Sequence, residues 1–431
     1  MNPSMKRTLA GRRKGWRLAA GCRLALLVLP AVAAQAGQAQ AQAVQAPTAP
    51  PDPLTLPAAV DRAFAVNPEL VAARLRRPID AARLAVAAER PNPETSFEFA
   101  KETPRQAFGV SLPLELGGKR SRRIAAGEAA VRTGDAELAV TMAQVRNDVR
   151  RAYFGLHAAT AKQEAFVALR DLARRARDAA QLRYDRGDTA RLDVLQADLA
   201  FDTAQNDATV ADGAVQAARF TLNALLALPL ESVVRLATPM DAGEPVAAGA
   251  LLDRARRTST ELILIDRQID EQRAAAALAR ALRVPDAVPS ATLTHGAEPE
   301  FTWGWRAAFA ITVPLFTRHD AAVQVEEAAL AQLAARRQAA LIRIEGEVSA
   351  AAAAAEAQRL AYVRFRDTIL PETQQVEAMA DESYRAGQTN LSALLQVLQA
   401  SRELRLRALD TIAAFQDAMT NLERAAGVAL P

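Results

Sequence analysis

The sequence predicts a mostly α-helical chain with a small β component, built as a two-fold internal repeat. Three observations carry that expectation. Separate blocks of residues recur at a nearly constant spacing, each half holds two very long helical patterns, and each half sets a pair of short strands before them. Asp61-Arg62-Ala63 returns as Asp253-Arg254-Ala255 and Glu69-Leu70 as Glu261-Leu262, both displaced by 192 positions. Phe108-Gly109-Val110-Ser111-Leu112-Pro113-Leu114 returns as Phe309-Ala310-Ile311-Thr312-Val313-Pro314-Leu315, displaced by 201. Tyr184, Gly187, Thr189, Leu195 and Gln196 return as Tyr384, Gly387, Thr389, Leu395 and Gln396, displaced by 200.

The chain opens with Lys6, Arg7, Arg12, Arg13, Lys14, Arg17 and Arg23, an apolar run from Leu24 to Ala34, and Ala34-Gln35-Ala36. That order marks residues 1–36 as a secretory signal peptide. Its apolar run is too short to cross a bilayer as a helix, which takes about 20 residues. Cys22, the single cysteine, follows Leu18-Ala19-Ala20-Gly21 in the manner of a lipoprotein acylation site. The longer apolar run comes after it, however, so Cys22 reads as a small residue inside the leader. Without the leader's seven cations, 46 basic residues face 49 acidic ones, a net charge of −3. No basic cluster suited to nucleic acid remains. Residues 37–53 are Ala, Gln and Pro with almost no charge or bulk and form a flexible arm. Residues 54–247 and 248–428 are the two structural repeats of a single elongated body.

Each repeat begins with a short and a medium helix, at 55–90 and 248–283, ended by Pro91 or Pro285. Two strands follow. The second of each pair alternates, with Phe108, Val110, Leu112 and Leu114 on one face, and Trp303, Trp305, Ala307, Phe309, Ile311, Val313 and Leu315 in the other copy. Opposing positions are small or polar, among them Gly109, Ser111, Arg306 and Thr312. Helical patterns then run over 117–183 and 190–226, and over 318–385 and 391–428. At 1.5 Å per residue the first member of each pair reaches roughly 100 Å. Leu138, Met142, Val145, Val149, Ala152, Leu156 and Ala159 step by alternating fours and threes, a coiled-coil seam. Pro371 should kink the later long helix.

Four short strands cannot close a barrel, which needs about eight, so several chains must share one. An apolar face alternating with a small or polar one is the pattern of outer-membrane barrels, and Trp303 and Trp305 sit where an aromatic girdle would lie. The competing reading buries these aromatics in a soluble β-sandwich.

Pro113-Leu114-Glu115-Leu116-Gly117-Gly118-Lys119-Arg120 at the strand-to-helix transition, Pro314-Leu315-Phe316 at the matching place, Asn67-Pro68-Glu69-Leu70 and the paired Tyr-x-x-Gly-x-Thr turns resemble the TolC-like outer-membrane efflux proteins over residues 54–428. The resemblance implies a homotrimer in which long coiled-coil hairpins form a periplasmic α-barrel. Each chain would contribute four strands to a shared twelve-stranded β-barrel in outer-membrane lipid. It also implies docking onto a periplasmic adaptor and an inner-membrane resistance-nodulation-division pump. The Glu-Leu-Gly-Gly-Lys-Arg run and the short tips around Thr103–Gln106 and Glu298–Glu300 are similar to the heavy-metal branch. Drug efflux or protein secretion through the same kind of duct, and a periplasmic coiled-coil adaptor or scaffold, are the alternatives.

No catalytic constellation, cofactor site or metal-ligand cluster is legible, since the histidines are only His157, His295 and His319 and lie apart. The glycines of the hinge Pro113, Gly117, Gly118 and Pro314 lack the spacing of a phosphate loop and suit a strand turning into a helix. Gly187 and Gly387 mark the far ends of the hairpins, with Thr189 and Thr389 expected to cap the returning helices. Asp188, Asp193, Tyr384 and Arg385 are the polar groups expected at this periplasmic tip and gate. The resemblance implies that Asp193 and Tyr384 match the residues that close the entrance, while Ala393 and Gln396 stand where a further acidic pair is often found. The plainer reading is that both motifs are good turns.

Overall fold

The computed structural model describes residues 53–244 and 247–427. The expected leader and nearly all of the expected arm lie outside the described residues.

Helix α1 (Leu56–Val66) starts at Thr55, whose side chain accepts from the Ala58 N–H. Asn67 ends it and caps α2 (Pro68–Arg74), accepting from the Glu69 and Leu70 N–H groups. A third helix, α3 (Arg76–Ala88), follows at once, so the first repeat opens with three helices rather than the two expected. Pro78 explains the break at Leu75. Its ring lacks an N–H and crowds the carbonyl four residues back, on Arg74, where α2 stops.

Strands β1 (Glu94–Phe99) and β2 (Gln106–Ser111) form the first hairpin, and β3 (Ala287–Ala297) and β4 (Phe301–Ile311) the second. All four join one antiparallel sheet in the order β1-β2-β3-β4. The repeats therefore meet at the β2–β3 pair. Gln106, expected in a tip, instead pairs with Phe99. The alternation extends further than the strands themselves. Leu112 and Leu114 still donate to Pro289 and Ala287 (3.0 and 2.8 Å), but Val313 and Leu315 lie beyond the end of β4, where Leu315 N–H turns back onto the Val313 carbonyl (2.9 Å).

Helix α4 (Lys119–Asp185) spans 67 residues and returns as α5 (Arg191–Leu225). The second repeat has α6 (Ala248–Thr258) and α7 (Thr260–Ala281) before its strands. After them run α8 (Asp320–Arg364), one π-helical turn over Phe365–Ile369, α9 (Leu370–Arg385) and α10 (Leu391–Ala426). The interruption expected at Pro371 thus falls just upstream of it. The ring acts on the turn before it, and the Leu370 N–H bonds to the Phe365 carbonyl, five residues back.

Burial repeats with the sequence. Ala59, Ala63 and Leu70 are buried in one apolar cluster, and their counterparts Leu251, Ala255 and Leu262 in another. Of the α4 seam, Leu138, Val145, Val149 and Leu156 are buried, with Met142 and Ala152 packed against them. Beside the seam Tyr153 is fully buried, a position the heptad reading passed over. Its hydroxyl donates to the Leu54 carbonyl (2.9 Å) and accepts from the Ala237 and Thr238 N–H groups (3.1 and 2.8 Å), tying the entry of the fold to the segment after α5.

The repeats are also joined by a buried ion pair. Arg150 on α4 and Glu423 on α10, 5% and 2% exposed, meet at 2.7 Å. Burial pulls the Arg150 guanidinium below its usual pKa, Glu423 opposes that, and nearby Arg146 adds to it. The attraction within such a buried pair is largely offset by the desolvation of its two charges. We expect Glu423→Ala to cost about 3–5 kcal/mol, because a buried charge loses its partner, while Arg150→Met with Glu423→Leu recovers most of it. Chemical unfolding followed by helical circular dichroism checks this; equal loss in both variants contradicts it.

Candidate functional site

The far ends of the two helical hairpins are built alike. Gly187 and Gly387 take φ of +82° and +73°, and nothing lies within 4 Å of where a Cβ would stand. The glycines are therefore needed for conformation rather than space, since a left-handed L-residue costs roughly 1–2 kcal/mol. Gly187 N–H bonds to the Tyr184 carbonyl (2.9 Å) and Asp188 N–H to Arg183 (2.8 Å). Gly387 and Gln388 repeat this with Tyr384 and Ser383 (3.0 and 2.9 Å). Both ends are Schellman closures, which satisfy the last helical carbonyls.

The expected threonine caps are not formed. The cap of α5 is Ala190, without a side-chain bond, and the Thr189 hydroxyl donates instead to the Asp193 carboxylate. The cap of α10 is Asn390, whose Oδ1 accepts from the Ala393 N–H at 3.0 Å, and Thr389 lies one residue outside the helix. Each expectation missed the helix start by one position.

Tyr384 is 2% exposed. It packs with Ala176, Ala180 and Ala197 of the first hairpin and with Leu391, Leu394 and Leu398 of α10. Arg183, which the sequence did not single out, places its guanidinium 5.2 Å from the Tyr384 ring centroid and reaches its carbonyl at 3.5 Å. A cation over an aromatic face contributes ~0.5–2 kcal/mol. Burial raises the Tyr384 phenol above its usual pKa, with Arg183 opposing and Asp193 reinforcing, so the hydroxyl stays neutral. Asp193, Arg183 and Tyr384 thus form one constellation from both hairpins. Asp188 is exposed, and Arg385 pairs within its own helix with Asp381 (2.9 Å). Farther along, α4, α5 and α10 part around an apolar cavity of about 330 Å³, rimmed by the Asp207–Arg402 pair (2.6 Å).

At the strand-to-helix hinge, Gly117 and Gly118 have φ of +68° and +70°, and a Cβ on Gly117 would meet Val284 at 2.6 Å. Arg123 binds Glu115 (2.5 Å) and the α3 carbonyl of Ala87 (2.8 Å), Arg120 binds that of Ala88 (2.9 Å), and Lys119 pairs with Asp286 (2.7 Å). The basic run therefore caps α3 and fastens the sheet to the helices. Pro113 lies between two ladder donors, Leu112 and Leu114, where its missing N–H costs nothing, and Pro314 lies beyond β4.

The sheet has two unlike faces. Phe97, Phe108, Leu293 and Trp305 form one row across all four strands, and all are exposed, Trp305 at 82%. The neighbouring row on the opposite face is Ser96, Gly109, Thr292 and Arg306. Trp303 is also exposed and packs against His295 with ring centroids 4.5 Å apart and the rings tilted by 53°. Among the described residues no second sheet covers these aromatics. Among the described residues no group of His, Cys, Asp and Glu is placed to hold a metal ion, and no helix is long and apolar enough to cross a membrane.

Residues 59–228 match the family model described as outer membrane efflux protein. The chain is 26% identical over 388 residues, 87% of its length and 90% of the relative's, to the cobalt-zinc-cadmium resistance protein CzcC of Cupriavidus metallidurans. Its fold matches the outer-membrane channel OprN with a TM-score of 0.72 at 17% identity, covering 87% of this chain and 90% of that one. It matches CusC with the same score at 16% identity, covering 87% and 92%.

Because Asn390 and not Thr389 satisfies a helix-start N–H, Asn390→Ala should destabilise the first turn of α10 by about 1 kcal/mol and Thr389→Ala should not. Hydrogen exchange at Leu391–Leu394 reads the difference; faster exchange in the threonine variant alone contradicts the assignment.

Proposed function

We propose that this chain belongs to the outer membrane efflux protein family and is one subunit of a homotrimeric exit duct served by an inner-membrane resistance-nodulation-division pump through a periplasmic adaptor. The observation that carries the reading is the sheet. An exposed apolar face above a polar one, with β1 and β4 as open edges, suits lipid only when neighbouring copies pair those edges into one barrel. The helices support the same assembly. Helix α5 packs mainly on α4, and its far side shows Leu192, Leu195 and Val210. The α8–α9 side shows Val325, Ile342, Leu360, Val376 and Met379. Exposed stripes of this size at both ends of one helical arc are what a ring of copies would cover.

The proposed cargo is divalent heavy-metal cations. CzcC, similar over most of both chains, is by name a cobalt-zinc-cadmium resistance protein. A passive duct needs no ligand cluster for this, because the pump and adaptor select the cargo. Loss of the gene should sensitise cells to cobalt, zinc or cadmium more than to hydrophobic drugs, and the reverse pattern moves the chain to drug efflux.

Asp193 and Tyr384, with Gly187, Asp188, Thr189, Arg385, Gly387 and Thr389 around them, make up the proposed periplasmic gate and docking tip. Three symmetry-related copies of Asp193 would favour cations over a screening length of ~8 Å. Asp193→Ala with Tyr384→Phe should therefore raise single-channel conductance in planar bilayers and lower cation selectivity. Unchanged values in both remove these residues from the gate.

A further inference from the structure

The apolar stripe of β4 does not stop with the strand. It passes Ile311, Val313 and Leu315, all exposed, and the residue after Leu315, Phe316, is 100% exposed. The duplicated sequence supplies an internal comparison. The residue matching Phe316 in the first repeat is Glu115, and it is satisfied at home by Arg123 at 2.5 Å. Nothing in the shared fold thus requires a phenyl ring at this point. The next positions differ as well. Gly117 and Gly118 are matched by Arg318 and His319, and His319 takes the left-handed φ of 56° that glycine holds in the first copy. Arg318 is exposed and folds its Nε back onto the Leu315 carbonyl (3.3 Å), on the peptide link that joins Leu315 to Phe316.

We propose that Phe316 and Arg318 form a second membrane anchor, a ring-and-cation pair seated among the phospholipid headgroups of the periplasmic leaflet. The proposal rests on the outer-membrane reading above. Spacing supports this occupant. From Trp305 the strand runs six further residues to Ile311, roughly 15 Å along the membrane normal at ~3.3 Å per residue and a tilt of ~40°, and the five residues beyond the strand carry the chain on to Phe316. The apolar band of such barrels is ~25 Å tall and is bounded by aromatic girdles on both sides. Trp303 and Trp305 would mark one boundary and Phe316 the other. The chemistry also fits, because a phenyl ring gains from leaving water while a neighbouring guanidinium can bind a lipid phosphate in bidentate fashion. The first repeat, with a neutralised carboxylate there, would carry no such anchor, so a trimer would hold three rather than six.

The test places Phe316→Trp in the full-length chain with the other tryptophans replaced by Phe, reconstituted in vesicles of brominated phosphatidylcholine. Bromines near the headgroup should cause the larger loss of indole emission, and bromines at the chain end the smaller. A companion chain that keeps only Trp305 serves as the control. Quenching of the control without quenching of F316W overturns the anchor and assigns Phe316 to contact with a neighbouring copy. Failure of both to quench overturns the outer-membrane reading itself. If F316W does not assemble, a spin label on Phe316→Cys reads the same depth, and a label exposed only to water overturns the anchor.

Discussion

Everything in this fold depends on the two free edges of its sheet. Among the described residues, strands β1 and β4 each present a row of backbone N–H and C=O groups without a partner strand, on a sheet whose apolar face is exposed. In water such an edge invites aggregation, and in hydrocarbon each unsatisfied group costs several kcal/mol. In the proposed barrel another copy supplies the missing strand. The duplication prepares this, because each repeat brings one hairpin and β2–β3 pairing has already joined the hairpins inside one chain.

The long helices have a complementary requirement. An α4 of 67 residues carries more surface than its own hairpin partner can cover, so it is held at intervals. The apolar clusters, Tyr153 with its three backbone bonds and the Arg150–Glu423 pair hold the end nearer α1 and α6. Toward the tips the cores thin to alanines and three leucines around Tyr384, and α5 barely touches α10. Fewer buried contacts mean lower local stability. The fold thus places its loosest packing where a gate would have to move and its tightest where the repeats must stay in register.

Much of this was legible in the sequence, and the failures have definite causes. Glycines that must adopt positive φ announce themselves, so Gly117, Gly118, Gly187 and Gly387 were readable as hinge and turns. Alternation along β2 and β4 was readable because a strand has period two. Cap positions were not, since moving a helix start by one residue transfers the role from Thr389 to Asn390 without altering the composition. Proline effects were displaced in the same way. Pro78 and Pro371 act on the turn before them, which puts the breaks at Leu75 and at Phe365–Ile369. Arg150, Glu423, Tyr153 and Arg183 could not be found by periodicity, because their partners lie on helices far away in sequence. A charge beside a buried seam position was the only available hint.

Covalent capture of the edge pairing tests the central claim most directly. The single native cysteine, Cys22, lies in the expected leader. One cysteine at Ser96 on β1 can therefore be combined with single cysteines scanned along β4 from Trp303 to Phe309. Within one chain these strands are three spacings apart, about 14 Å, too far for a disulfide. Mild oxidation in membranes should yield a covalent species of three chains and nothing larger, at one register of the scan. Monomer alone at every position, or an open ladder of ever larger species, would contradict a closed barrel built by pairing β1 of one copy with β4 of the next.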